Sequence, residues 1–283
     1  MKNALLFLLF FSFSTLFGAE PDKDGYILVW HDEFDTDGPV DSQNWNYEEG
    51  FVRNLESQWY QPQNAWCRNG LLTITARPEF RPNPNYNSKS HDWGKLRKNI
   101  TLTSASVTTR GKHEFLYGRF EVRARIPATP GTWPSIWLLG SKYPWPSCGE
   151  IDMMEYYNYK GEPHLLANVC WAGYENTSKW NTAAYPYAKF KAIDPLWDAR
   201  FHVWRMDWDK WSIRLYMDDK LMNETSLTQT INAPTSAGAD DNPFETPMYI
   251  LLNLAMGSNG GKIDETTLPA KYEIDYVRVY QKL

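Results

Sequence analysis

The segment Trp145–Tyr157, WPSCGEIDMMEYY, places Glu150, Asp152 and Glu155 at positions i, i+2 and i+5. Along a β-strand, i and i+2 share a face and i+5 points away. One inserted residue would bring Glu155 back to the side of the other two, so the spacing predicts a β-bulge at Met153-Met154. Carboxyl groups crowded on one face repel, and one then holds its proton to higher pH while another stays ionised. Splitting a glycosidic bond with retention needs that division. One carboxylate attacks the anomeric carbon, and the other, only ~5–5.5 Å away, protonates the leaving oxygen. The acids could equally be a charged strand edge or a calcium site; the pattern alone leaves these open.

The surroundings favour a sugar cleft. Trp133 and Trp137 precede the acids in GTWPSIWLLG, and Trp145 stands just before them. The flat apolar face of a pyranose stacks on an indole while its hydroxyls take hydrogen bonds at the edge. The chain holds 14 Trp, 17 Tyr and 13 Phe, more than a β core alone requires. Its net charge of −5 is made of mixed signs with no basic stripe, so nucleic acid is not an expected partner. Cys67, Cys148 and Cys170 are too few for a disulfide framework. Cys148 and Cys170 could pair, which the sequence does not decide. No CxxC motif or histidine cluster suggests zinc.

The elements that must position these residues read as strands. Arg119–Ile126 alternates Phe120, Val122, Ala124 and Ile126 on one face with charged residues on the other. Leu71–Ala76 and Ser212–Met217 alternate similarly, Met248–Met256 is more continuously apolar, and Tyr272–Tyr280 closes the chain as a strand. Asn69-Gly70, Asp218-Asp219 and Gly260-Gly261 are turn signals. Segments 81–92 and 233–243 read as long loops, and 194–200 as one short helical turn. The expected architecture is all-β: two antiparallel sheets packed as a sandwich. The N-terminus, MKNALLFLLFFSFSTLFGAE, reads as an export signal over 1–19, because its unbroken apolar run is far below the ~20 residues that span a bilayer. Residues 20–283 are then a single domain, periplasmic or extracellular, with no later segment apolar enough to cross a membrane.

The chain resembles glycoside hydrolase family 16 in its bulged, laminarinase-like branch. The resemblance rests on WHDEFD (30–35), FVRNLESQWY (51–60), YGRFEVRARIP (117–127), WPSIWLLG (133–140), GEIDMMEYY (149–157), YILLNLAMG (249–257) and YEIDYVRVYQ (272–281). It implies a β-jelly-roll with a concave cleft, Glu150 as nucleophile, Glu155 as acid/base, and Asp152 as the residue that orients and tunes the nucleophile. It also implies donor-side sugar contacts from Trp133, Trp137 and Asn54, the last also readable as a turn residue. Arg110 would grip hydroxyls or pair with Glu114. Glu33, Gly70 and Asp275 fall where some members hold a structural Ca²⁺, two of them through backbone carbonyls; catalysis itself needs no cofactor. Many relatives carry a histidine where this chain has Cys170, so the acceptor subsites should differ, with Trp171 as a platform there and His164 as a loop residue. QWYQPQNAWC (58–67) and VTTRGKHEFLYGRF (107–120) are similar to gut Bacteroidetes enzymes that act on β-1,3- or mixed-linkage glucans or, as endo-β-galactosidases, on mucin O-glycans. The expected partner is a polysaccharide bound by a monomer. A non-catalytic carbohydrate-binding protein and a transglycosylase are the competing readings.

Overall fold

A computed structural model describes residues 22 and 24–282. The proposed export signal at 1–19 lies outside the described residues. Two sheets face one another. The first runs in the order Ser178–Pro186, Glu162–Ala172, Glu150–Tyr159, Thr132–Gly140, Met248–Met256, Ser106–Thr108, Asn46–Tyr47. The second has at its centre Gly118–Arg125 between His202–Trp208 and Ala270–Lys282, and extends on both sides to ten strands. Neighbours pair antiparallel throughout, apart from the parallel pair Trp59–Tyr60 with Asn99–Ser104. The expected sandwich is therefore the fold.

Alternation builds the core between the sheets. Phe120, Val122 and Ala124 from one sheet meet Ile136, Leu138, Ile151 and Leu252 from the other, all buried. Each such side chain taken from water contributes about 1.5–3 kcal/mol. Odd-numbered positions of Thr132–Gly140 and Met248–Met256 point the other way. Trp137, Leu139, Tyr249 and Leu251 form a separate apolar group on the outer face of the seven-stranded sheet. A strand that carries apolar side chains on both faces reads as a continuous run, which is why Met248–Met256 showed little alternation.

Several expectations change in detail. The loop expected at 81–92 starts later, because the strand Leu71–Pro82 continues to pair Arg81 with Ile100 and Pro82 with Asn99. Beyond Ala76 this strand is bonded on one side only, so Pro78 and Pro82 lose no ladder hydrogen bond. A helix at Tyr187–Ile193 was not foreseen; its Tyr187 and Phe190, three apart, pack on the core. The short turn within 194–200 is present at Trp197–Ala199. His164 is not a loop residue: it lies buried within the strand Glu162–Ala172 and pairs with Tyr157. Asn69-Gly70 and Asp218-Asp219 form turns with positive φ at both positions, which Gly70 tolerates without strain. Among the described residues no helix is long and apolar enough to cross a membrane.

Candidate active site

The acid strand Glu150–Tyr159 is bulged. Against Thr132–Gly140, Asp152 pairs with Trp137, Met154 with Ile136 and Glu155 with Ser135, so Met153 is the extra residue. Against Glu162–Ala172 the register also slips between Asp152 and Glu155. Both methionines enter the inter-sheet core. The expected bulge at Met153-Met154 is thus present, and Glu155 faces the same way as Glu150 and Asp152. Gly149 immediately precedes the strand at φ +76°, where a Cβ would come within 2.8 Å of Pro243. Only glycine meets both demands.

Pairing turns the outer face of this sheet into rows that run across the strands. One row is Tyr249, Leu139, Glu150, Cys170, Trp180. The next is Leu251, Trp137, Asp152, Asn168, Thr182. A third is Asn253, Ser135, Glu155, Leu166, Ala184. Above them lies a cleft of about 700 Å³ lined by Glu150, Glu155, Arg53, Asn54, Trp133 and Trp137, together with Trp145, Tyr157, Asn168 and Trp180. Its size and mixed aromatic and polar lining suit several pyranose rings.

Each acid is held. The Trp145 indole donates to Glu150 Oε2. The Trp133 indole donates to Glu155 Oε1 at 2.8 Å. Asn168 Nδ2 donates to Glu155 Oε2 at 2.9 Å and to Asp152 Oδ2 at 3.0 Å. Trp137 donates to Asn253 at 2.7 Å, which reaches Tyr60 at 3.0 Å and through it Glu56. Glu56 also accepts from Asn54 at 3.2 Å. Asn54 and Leu55 both have φ near +55°, so Asn54 is at once a turn residue and a lining residue of the cleft. Arg53 lies over the Trp137 ring, 5.0 Å from its centroid, and pairs with Glu48.

The three carboxyls titrate apart. Burial raises Asp152 well above the ordinary carboxylate range, and the charges of Glu155 and Glu150 add to it. Asp152 is therefore the carboxyl that keeps its proton. Burial also pushes Glu155 up, to about 7, against hydrogen bonds from Trp133, Asp152 and Asn168. Burial raises Glu150 too, opposed by the Trp145 and Asp152 hydrogen bonds and by the positive charge of Arg53. While Asp152 and Glu155 keep their protons, the main cost of ionising Glu150 is its own desolvation. An arrangement of this kind can hold one acid ionised for attack and another protonated for donation.

The remaining sequence-predicted residues divide. Trp171 is corrected: strand parity sends Cys170 to the cleft, opposite Glu150, and turns Trp171 one residue later into the inter-sheet core, 7% exposed. The exposed indole on that side is Trp180, on the edge strand opposite Cys170 and 43% exposed. Sequence reasoning missed Trp180; the alternation in SKWNTAAYP held the signal, but not the register that aims it. Arg110 does not pair with Glu114, which accepts from Ser141 at 2.9 Å. Arg110 lies 5.4 Å over the Tyr249 ring, in a neighbouring depression of the same sheet rather than beside the acids. Cys148 and Cys170 are both free thiols, as is Cys67, so the pairing left open does not form. Of the residues Glu33, Gly70 and Asp275 expected at a calcium site, Asp275 is the extra residue of a bulge and pairs with Arg123, and Glu33 forms a double hydrogen bond with Arg278 at 2.8 Å, so both carboxylates are engaged by arginines. Among the described residues no group of three His, Cys, Asp or Glu side chains could hold a metal.

Comparisons with known proteins agree with this geometry. Residues 59–278 match the family described as glycosyl hydrolases family 16. A β-glucanase of Rhodothermus marinus is 33% identical over 99% of this chain and 94% of its own. Among solved structures, one from a study of endo-acting O-glycanases with which human gut microbes initiate mucin breakdown is similar, with TM-score 0.81 and 35% identity over 93% of both chains. The laminarinase catalytic domain of Thermotoga maritima is similar with TM-score 0.73 and 31% identity, over 91% of this chain and 99% of that one. A bulged strand presenting paired acids to an aromatic cleft, on a sandwich shared end to end with these enzymes, leaves one assignment: the chain belongs to glycosyl hydrolases family 16 and is a glycoside hydrolase.

Proposed function

We propose that the protein is an endo-acting, retaining β-glycanase whose substrate is a β-1,3- or mixed-linkage β-1,3/1,4-glucan. The observation that carries this reading is the pair Glu150 and Glu155, facing one cleft from one strand in environments that set their protonation apart. Glu150, supported as an anion by Trp145, Asp152 and Arg53, attacks the anomeric carbon. Glu155, protonated below about 7, gives its proton to the departing oxygen. Now ionised, it takes a proton from the water that releases the glycosyl-enzyme. Asp152 keeps its own proton and steadies Glu150 by a hydrogen bond. Rows crossing five strands let a long chain lie over the sheet with sugars on both sides of the acids, which suits internal cleavage. The glucan assignment follows the named β-glucanase and laminarinase relatives. We further propose that the enzyme is exported, by the signal at 1–19, and works as a monomer.

A second reading is favoured by one observation: the O-glycanase structure superposes with TM-score 0.81, against 0.73 for the Thermotoga laminarinase. On that reading the substrate is a galactose-containing mucin glycan. Incubation with laminarin, barley β-glucan, agarose, carrageenan and mucin, with products identified, separates the two. Cleavage of galactose-containing glycans alone would overturn the glucan assignment. Binding without new reducing ends would favour a non-catalytic lectin-like role, and products longer than the substrate a transglycosylase. Glu150→Gln and Glu155→Ala should each lose several orders of magnitude in rate, and azide should restore turnover of an activated aryl glycoside to Glu155→Ala.

A further inference from the structure

Asn168 stands out among the buried polar side chains. It is 2% exposed, on the strand Glu162–Ala172, directly opposite Asp152. Both of its protein hydrogen bonds come from Nδ2, and both go to acids of the site: Glu155 at 2.9 Å and Asp152 at 3.0 Å. Its Oδ1 is buried with no protein partner. Among the described residues no other group hydrogen-bonds this side chain. A buried amide whose only partners are two carboxyls is not placed there to satisfy a strand or a turn. An amino group has two hydrogens, so serving two acids at once fixes the plane of the amide and, through it, the separation of the two carboxyls.

We propose that Asn168 is a positioning residue for the acid/base, bridging Glu155 to Asp152 and holding Glu155 ready to become an anion when it gives up its proton. The inference rests on the retaining mechanism above. As Glu155 protonates the leaving oxygen, negative charge appears on its carboxylate, and a hydrogen bond from a fixed N–H strengthens as that charge grows. The Trp133 indole supplies the same help to the other oxygen of Glu155. An amide suits the task because it has no charge and does not titrate. A carboxyl in its place would add a fourth acid, and an imidazole would add a group that changes charge within the working pH range.

The test compares wild type, Asn168→Ala and the isosteric Asn168→Asp, with melting temperature as the check of folding. On the polysaccharide, Asn168→Ala should lose about 10- to 100-fold in kcat with little change in KM, the effect of one hydrogen bond to a charged group. The alkaline limb of its kcat/KM profile should move up by about one pH unit or more, because the ionised Glu155 has lost a donor. An aryl glycoside whose leaving phenol needs no proton should show a first-turnover burst close to wild type. Asn168→Asp should lose activity at neutral pH at least as severely. An unmoved alkaline limb in a folded Asn168→Ala protein, an Asn168→Asp protein with the wild-type profile, or an equal loss in the aryl burst would overturn the proposal. If Glu155→Gln retains the wild-type alkaline limb, the acid/base assignment falls instead, and the positioning role with it.

Discussion

The bulge makes an asymmetric prediction about chain length in the acid strand. Asp152 pairs with Trp137 and Glu155 with Ser135, two positions apart on the neighbouring strand, while three positions separate them on their own. Deleting one methionine of the pair therefore restores a regular ladder and leaves Glu155 opposite Ser135, still facing the cleft. The loss is one buried methionine side chain. Large-to-small changes of that kind cost about 2–5 kcal/mol, partly offset by the repaired ladder. In a chain of this size that lowers the melting temperature by roughly 5–15 °C. Inserting an alanine between Met153 and Met154 acts oppositely. It advances Glu155 by one position, to the place opposite Pro134, and turns its carboxyl into the core beside Ile136. That protein loses its acid/base, worth about 10²–10⁴ in rate, beside the cost of burying the group. Reducing-end release on the polysaccharide, together with thermal melts, measures both. The deletion should stay within about tenfold of wild type and the insertion should be inactive. A folded deletion variant with no activity, or an insertion variant with near-normal activity, would refute the account of how the bulge aims Glu155.

Other outcomes follow from the same geometry. Because Glu155 is raised to about 7, kcat/KM should fall as pH rises through that value, and Glu155→Gln should abolish the limb. A carboxyl raised on folding binds more protons in the native state than in the unfolded one, so stability falls between about 4.5 and 7 as pH rises. Glu155→Gln should accordingly melt higher than wild type at pH 8, with the gap closing below pH 4.5, as read by calorimetry. Trp180→Ala should raise KM for the polysaccharide by about tenfold while leaving the melting temperature near wild type, as expected for a lost stacking surface. Trp171→Ala should do the reverse, costing about 3–5 kcal/mol of stability with little specific effect on KM.

The acid triad, the bulge and the sandwich were legible because each follows from local spacing. ExDxxE demands an extra residue if its acids are to act together, and alternating strands demand two sheets. What the sequence hid was register. Trp171 and Trp180 look alike in composition, and only the pairing of Cys170 with both Glu150 and Trp180 shows which indole meets the sugar. Asn168 was invisible for the same reason: an asparagine in an apolar run carries no sign of the acids it faces until two strands are aligned. Arg110 and Asp275 were placed near the correct segments, but their partners come from side chains remote in sequence, Tyr249 and Arg123.

The three unpaired cysteines bear on how the enzyme would be lost rather than how it works. All are buried. Burial pushes the Cys67 thiol to about 12 and the Cys148 thiol to about 11, and drives Cys170 upward too, beside Glu150 and Asp152. Since the thiolate is the species that oxidises, the folded chain is shielded against air and disulfide exchange. Once it opens, three ordinary thiols become reactive together and can pair wrongly within or between chains. Inactivation by heat would then be governed by the rate of unfolding, and a reducing agent present during heating would preserve the ability to refold.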